Sequence, residues 1–346
     1  MKTVYIYPGI FSPPTFGHLN IVRQTAAIVP ELIVLCSKNP EKPDPWFAPE
    51  ECKILWLTYS LPKNVSLMTL TEFLRLQIKA EQIVIVRGLR RVEEFSYEAA
   101  VMRLNKERFN LRKYLYVFSQ KKYRDISSSK TRLMASTLDL ENLSQCVSPL
   151  TISALLEKTL DVQNIFLVVG KPGAGKSTIL KKLSRMSKRN HWINTDNFNQ
   201  KLKPLLKEKF GEKDLIEVAL KDEKELKKII GPAWIKLLKN SLLTAPRRAN
   251  VFIEIAYGLQ KDKLMFRFVG GKIIYIGCDN ETDNYNRVVK RGTPKLTAFI
   301  KKIPGQQETE KLAKKYGLSV SYIGTDCTLQ ELFKKTKQLN TLLKEV

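Results

Sequence analysis

The sequence predicts an α/β chain built as two tandem domains, each a parallel sheet with helices on both faces. Three observations carry the prediction. Apolar, β-rich runs alternate with longer amphipathic stretches, the pattern of strand–helix–strand units. The alternation begins a second time after a helix-and-connector stretch at about 138–163. The opening strand of each series runs directly into a glycine-bearing turn and a helix start. A chain of 346 residues suits two domains of roughly 100–200 residues each. The expected domains are 1–160 and 161–346.

In the first series, Val4–Tyr7, Leu32–Leu35, Ile83–Val86 and Tyr114–Phe118 read as buried strands. Leu19–Ile28 and Pro49–Tyr59 read as amphipathic helices between them. In the second series, strands are expected at Ile165–Val169, Trp192–Asn194, Val251–Ile255, Ile273–Ile276 and Val320–Ile323. No internal repeat or low-complexity tract appears.

The 59 Lys and Arg against 34 Asp and Glu leave a formal charge of +25, which attracts polyanions. Small phosphorylated substrates or a lysine-covered solvated surface account for it. A nucleic-acid partner is not expected, because neither zinc-finger spacing nor an RNP-like aromatic motif accompanies the charge. Cys36, Cys52, Cys146, Cys278 and Cys327 are scattered, odd in number and form no CxxC, which fits a reducing cytosol rather than a disulfide framework or zinc site. The N-terminal residues do not read as a signal peptide, and no run of about 20 apolar residues occurs. A cytoplasmic protein with no membrane partner is therefore expected.

The first candidate site follows the opening strand, in Tyr7-Pro8-Gly9-Ile10-Phe11-Ser12-Pro13-Pro14-Thr15-Phe16-Gly17-His18. Small residues let backbone N–H groups approach a phosphate, and the helix N-terminus favours negative charge there. Thr15 reads as the cap and His18 as a first-turn residue beside the anion. Such a turn, at the C-terminal edge of a strand, is where open α/β sheets bind ligands. A second segment, Ile126-Ser127-Ser128-Ser129-Lys130-Thr131-Arg132, precedes another helix. Its serines can cap that helix and also offer hydroxyl and backbone donors together, while Arg132 adds a fixed positive charge.

These two segments resemble the TxGH and ISSxxxR signatures of the nucleotidylyltransferase superfamily, of the HIGH type. Within it, Arg87-Gly88-Leu89-Arg90-Arg91-Val92-Glu93-Glu94-Phe95-Ser96-Tyr97-Glu98 is similar to the RGLRxxxDFxYE signature of phosphopantetheine adenylyltransferase. The resemblance covers about residues 2–160. It implies a Rossmann-like domain in which 4′-phosphopantetheine attacks the α-phosphorus of ATP, giving dephospho-CoA and pyrophosphate. It implies that His18 stabilises the transition state and that Lys42 holds the acceptor phosphate. By the same resemblance Ile10, Lys42 and Arg87 contact the acceptor. Phe11, His18, Gly88, Leu89, Arg90, Glu98, Tyr123, Ile126, Ser127, Ser128, Ser129 and Arg132 contact ATP. Two departures stand out: Ile10 and Ser12 replace a threonine and an aspartate of the family's PGTFDP. Losing one phosphate hydrogen bond costs about 1–3 kcal/mol.

The second candidate site is Gly170-Lys171-Pro172-Gly173-Ala174-Gly175-Lys176-Ser177-Thr178, a G-x-x-x-x-G-K-[ST] between an apolar strand and a helix. In such a loop the N–H groups of Gly170, Gly173 and Gly175 cradle phosphates, with Thr178 in the first helical turn. Lys176 reaches the β/γ oxygens, and the Ser177 hydroxyl ligates Mg2+. Asp196, after the next strand, reads as the group that orients an acceptor hydroxyl and takes its proton, or as a helix cap. Glu254 reads as a group behind the metal. Arg287 and Arg291, four apart, read as a lid over the transferring phosphate or a solvated basic helix.

This half resembles dephospho-CoA kinase across roughly 163–340, with Asn194-Thr195-Asp196 in place of the family's DAD. Together the halves resemble the bifunctional coenzyme A synthase arrangement, an adenylyl transfer followed by phosphorylation of a ribose 3′-hydroxyl. ATP, 4′-phosphopantetheine and dephospho-CoA are then the small-molecule partners and Mg2+ the cofactor. Relatives of the adenylyltransferase often form hexamers, so a homo-oligomer through the first domain is also implied. Three alternatives stay open: a nicotinamide mononucleotide adenylyltransferase paired with a ribosylnicotinamide kinase, a second domain that binds ATP without transfer, and a nucleic-acid-binding P-loop protein.

Overall fold

The computed structural model describes residues 3–38, 45–79, 82–211, 223–255, 272–277, 305–314 and 320–325, with positions 218, 286, 289, 331, 334–336, 338 and 339. The chain divides into two compact units, Met1–Thr151 and Ile152–Val346. That division falls nine residues ahead of the expected boundary, inside one helix.

The first unit runs β1 (Val4–Gly9), α1 (Phe16–Ala26), β2 (Leu32–Cys36), α2 (Pro49–Trp56), β3 (Val65–Thr69), α3 (Leu70–Leu74) and β4 (Ile83–Leu89). It continues with α4 (Phe95–Phe109), β5 (Lys113–Phe118), α5 (Ser128–Ser136) and α6 (Leu140–Cys146), and α7 (Pro149–Leu160) spans the division. All strand pairs are parallel, in the order β3-β2-β1-β4-β5. Strand order reverses between β1 and β4, the crevice where such sheets bind ligands. Ile6 sits between Ile33 and Ile85 in register. With Leu35, Phe73 and Ile83 these side chains form one buried cluster, each contributing roughly 1.5–3 kcal/mol by leaving water.

β3 is the element the sequence pattern missed. It is an edge strand, mostly half-buried with Ser66 exposed, so it lacks the unbroken apolar run that marks the inner strands. Local chemistry sets the helix limits. Pro49 starts α2 at its first turn, where its missing N–H costs nothing. Asn110 closes α4 in the left-handed region at φ 54°, a conformation Asn tolerates better than most residues.

The second unit continues with β6 (Asn164–Val169), α8 (Lys176–Met186), β7 (Asn190–Asn194), α9 (Asp196–Phe210), α10 (Glu223–Leu243) and β8 (Asn250–Glu254). β9 (Lys272–Gly277), α11 (Gln306–Lys314) and β10 (Val320–Gly324) follow. Its sheet is also parallel, ordered β10-β9-β6-β8-β7. β6, wholly buried, lies at the centre. α8 buries Ile179, Leu180 and Leu183 against Phe166, Val168, Phe252, Ile274 and Ile276. Both sheets thus put the strand that leads into a candidate site in the middle, with its C-terminal end at the reversal of strand order.

Candidate functional site

At the first junction Thr15 adopts extended backbone and caps α1, its Oγ1 accepting the His18 N–H at 3.4 Å. His18 Nδ1 in turn accepts the Thr15 backbone N–H at 3.1 Å. The reciprocal pair is a capping box in which the imidazole occupies the place usually held by Glu or Gln. An Nδ1 that accepts from an amide carries no proton, which assigns the ring proton to Nε2. Burial, with Arg90 as the second cause, pushes the imidazole down from 6.5 to about 3. His18 is therefore neutral at physiological pH and offers one N–H donor. The Phe11 ring packs edge-on to it at 5.1 Å and to Trp56 at 5.3 Å.

The second segment is stitched to the first by bonds between side chain and backbone. The Ser128 hydroxyl donates to the Pro13 carbonyl at 2.8 Å, and Arg132 donates to the Ser12 carbonyl. Ser127 caps α5 by accepting the Lys130 N–H at 3.2 Å, and the Ser129 hydroxyl accepts from Arg132 at 3.3 Å. Gly17 makes the approach possible: a Cβ there would lie 2.9 Å from the Ile126 carbonyl oxygen. Ser12, where the family has Asp, is buried and accepts the Phe47 N–H at 3.0 Å, so its hydroxyl serves packing.

A cavity of about 900 Å3 opens at the C-terminal ends of β1 and β4. It brings together Ile10, Phe11, His18, Arg87, Gly88, Leu89, Arg90, Glu98, Tyr123 and Ile126. Ser127, Ser128, Ser129 and Arg132 do not line it; they brace its wall through the bonds above. Lys42 lies outside the described residues. Arg87 grips Glu98 with two bonds, Nε to Oε2 at 2.6 Å and Nη2 to Oε1 at 2.7 Å. Glu98 is buried, so this bidentate pair fixes one wall, joining two residues expected on different ligands.

Sequence reasoning missed the wall supplied by α4. Val101, Leu104, Asn105 and Arg108 line the cavity at i, i+3, i+4 and i+7. That spacing is visible in the sequence, but it marks a helix face facing something rather than a cavity. Ser119 also lines the cavity, and its buried hydroxyl has no hydrogen-bond partner among the described residues.

At the second junction the loop turns through left-handed backbone at Gly173 (φ 81°) and Gly175 (φ 90°), which glycine adopts without penalty. Gly170 has φ 145°, and a Cβ there would lie 1.9 Å from the Ile276 carbonyl oxygen. Lys176 Nζ donates to the carbonyls of Gly170 at 2.9 Å and Lys171 at 3.2 Å, folding back over the loop. The Ser177 hydroxyl donates to Glu254 Oε1 at 2.8 Å; Thr178 is exposed in the same first turn of α8. Burial raises the Glu254 carboxyl above the usual carboxylate range, opposed by Lys176 and Ser177. Asp196 is the first residue of α9, exposed, with Thr195 as the N-cap. β8 stands between its strand and β6. Arg287 and Arg291 lie outside the described residues. A hydroxyl beside a buried carboxylate is an all-oxygen donor set, which fits a hard cation such as Mg2+.

Among the described residues, no helix is long and apolar enough to cross a membrane. A cytidylyltransferase-like family model matches residues 6–134. The phosphopantetheine adenylyltransferase of Mannheimia succiniciproducens is 32% identical over 158 residues, 45% of this chain and 98% of that protein. The one from Dictyoglomus thermophilum is 35% identical over 135 residues, 38% of this chain and 80% of that protein. A solved structure of NadR protein in complex with NR aligns over 98% of this chain and 95% of that one. At 12% identity and a TM-score of 0.34, that likeness is too slight to bear on function. Through its N-terminal unit, the chain belongs to the phosphopantetheine adenylyltransferase family.

Proposed function

We propose that the first unit transfers the adenylyl group of ATP to 4′-phosphopantetheine, and that the second then phosphorylates the resulting dephospho-CoA. The observation that carries the first half is the neutral His18, held by its own helix cap on the wall of a cavity at the β1/β4 crevice. In the reaction an acceptor phosphate oxygen attacks the α-phosphorus, the bond to the β-phosphate breaks, and pyrophosphate leaves with the electron pair. No covalent enzyme intermediate is required, so the protein's part is positioning and charge stabilisation. His18 Nε2–H donates to a non-bridging α-phosphate oxygen as charge grows there. The N-terminus of α1 adds its own positive field. Arg90 and the backbone at Gly88 and Leu89 hold the nucleotide, while Arg87 and Lys42 are assigned to the acceptor.

In the second unit, Lys176 holds the β/γ-phosphates and Asp196 orients the acceptor hydroxyl. Ser177, with Glu254 behind it, would hold the Mg2+ that neutralises phosphate charge. Ile10 puts an alkyl group where relatives carry a hydroxyl, so acceptor affinity is expected to be weaker, not absent.

Mass spectrometry of products from protein, Mg2+, ATP and 4′-phosphopantetheine tests both halves. Dephospho-CoA followed by CoA is expected. Dephospho-CoA alone refutes the kinase half. Turnover of nicotinamide mononucleotide instead of 4′-phosphopantetheine refutes the acceptor assignment.

A further inference from the structure

Glu254 is 2% exposed and ends β8, beside the strand that leads into the Gly170–Thr178 loop. Each of its carboxylate oxygens has its own donor. Oε1 accepts the Ser177 hydroxyl at 2.8 Å, and Oε2 accepts the indole N–H of Trp192 at 3.1 Å. The backbone of Glu254 is held as well, since the Thr195 hydroxyl donates to its carbonyl at 2.6 Å. Trp192 stands on β7 opposite Phe252, and its ring packs against the buried cluster of Phe166, Phe252 and the α8 aliphatics.

An indole N–H can only donate, and a ring set against a packed core has few orientations open to it. Trp192 is thus a fixed donor that selects which oxygen of Glu254 meets Ser177. The selection matters for the hydroxyl. A serine that spends its proton on Glu254 turns its lone pairs away from that carboxylate, which is how it must stand to ligate a cation. A carboxylate free to rotate would hold that orientation only part of the time.

We propose that Trp192 is a positioning residue for the magnesium–nucleotide site: its indole N–H fixes the Glu254 carboxylate, which in turn presents the Ser177 oxygen to the ion. This rests on the P-loop reading of the second unit. Neither the loop motif nor any aspartate or arginine assigned above brings Trp192 into the chemistry.

The test uses the full chain, with Arg90→Ala in every sample to weaken the first unit's nucleotide site, and a fluorescent N-methylanthraniloyl ADP titrated with and without Mg2+. Trp192→Phe keeps the aromatic ring and removes the N–H. It should raise the Mg2+ concentration for half-maximal stabilisation of the complex about tenfold while leaving metal-free ADP binding as in wild type. Placed on Glu254→Gln, it should add nothing further, because the indole acts through that carboxylate. An unchanged Mg2+ requirement, or full additivity in the double variant, overturns the proposal. Should Trp192→Phe not fold, the 15N-labelled indole spectrum of wild type decides: the Trp192 N–H must shift when Mg2+ joins the ADP complex, and a static signal overturns the idea. Lys176→Ala separates the two layers. If it binds ADP like wild type, the P-loop reading fails; if it loses ADP while Trp192→Phe matches wild type, only the positioning role fails.

Discussion

The two strand-to-helix junctions face the same problem, an anion at a helix start, and meet it by different means. At the first, side chains do the capping: Thr15 and His18 satisfy each other's backbone N–H groups, and the donor left for phosphate is neutral. At the second, glycines in left-handed backbone shape the loop, and the donor is the cation of Lys176, folded onto the loop's own carbonyls. A neutral donor held by a cap suits a site that must stabilise charge developing on one oxygen. A cation over a backbone cradle suits one that must hold a whole polyphosphate tail. The first site thus depends on one hydrogen-bond geometry and the second on backbone shape.

The contrast breaks most sharply if the two chemistries fail to separate. His18→Ala should lower dephospho-CoA formation about 100–1000-fold, the scale of losing one oxyanion donor. It should leave phosphorylation of supplied dephospho-CoA unchanged, and coupled product assays check both. Lys176→Ala should do the reverse; loss of both steps in either variant would mean misfolding.

Backbone shape is tested next. Gly170→Ala forces a Cβ against the Ile276 carbonyl in a left-handed conformation. A loss of roughly 1–3 kcal/mol should appear in the thermal transition of the second unit and not the first.

A smaller effect belongs to the cap. Thr15→Val removes the hydroxyl that accepts the His18 N–H and should cost about 1 kcal/mol in the first unit by urea unfolding. Its Nδ1 contact to backbone remains, so adenylyl transfer should fall less than in His18→Ala.

Near neutral pH the smallest effect is the pH dependence of stability. Folded His18 refuses a proton until about pH 3, whereas the unfolded imidazole takes one near 6.5. Between those values the unfolded state binds more protons, so His18 destabilises the fold as pH falls through that window and contributes no slope above it. The difference in unfolding free energy from urea titration between wild type and His18→Gln should be flat above pH 7. It should change by less than about 1 kcal/mol at pH 6, and grow on further acidification. An equal slope in both would show that the ring is not buried neutral.

Much of the architecture was legible because inner strands of a parallel sheet are apolar on both faces. Nine of the ten strands among the described residues, all but β3, were expected from apolar, β-rich runs. Among the edge strands, β5, β7 and β10 were legible and β3, broken by the exposed Ser66, was not. The two glycine-bearing loops were legible for a related reason: backbone that must approach a phosphate or turn left-handed restricts residue type at fixed offsets. The α4 wall was not, since the periodicity of Val101, Leu104, Asn105 and Arg108 says that one face is special without saying what it faces.

Residue type and spacing alone set the strand–helix alternation, the family signatures of the first unit and the placement of His18 and Lys176 at helix starts, because all three are local. What the packed fold settled is the lowered basicity of His18, the grip of Arg87 on Glu98 and the meeting of Ser177, Glu254 and Trp192. Those depend on partners 11 to 77 residues apart or on burial that no local window records. A hydrogen bond's donor and acceptor are chosen by which groups the packed sheet brings within reach, and chain order alone does not state that distance.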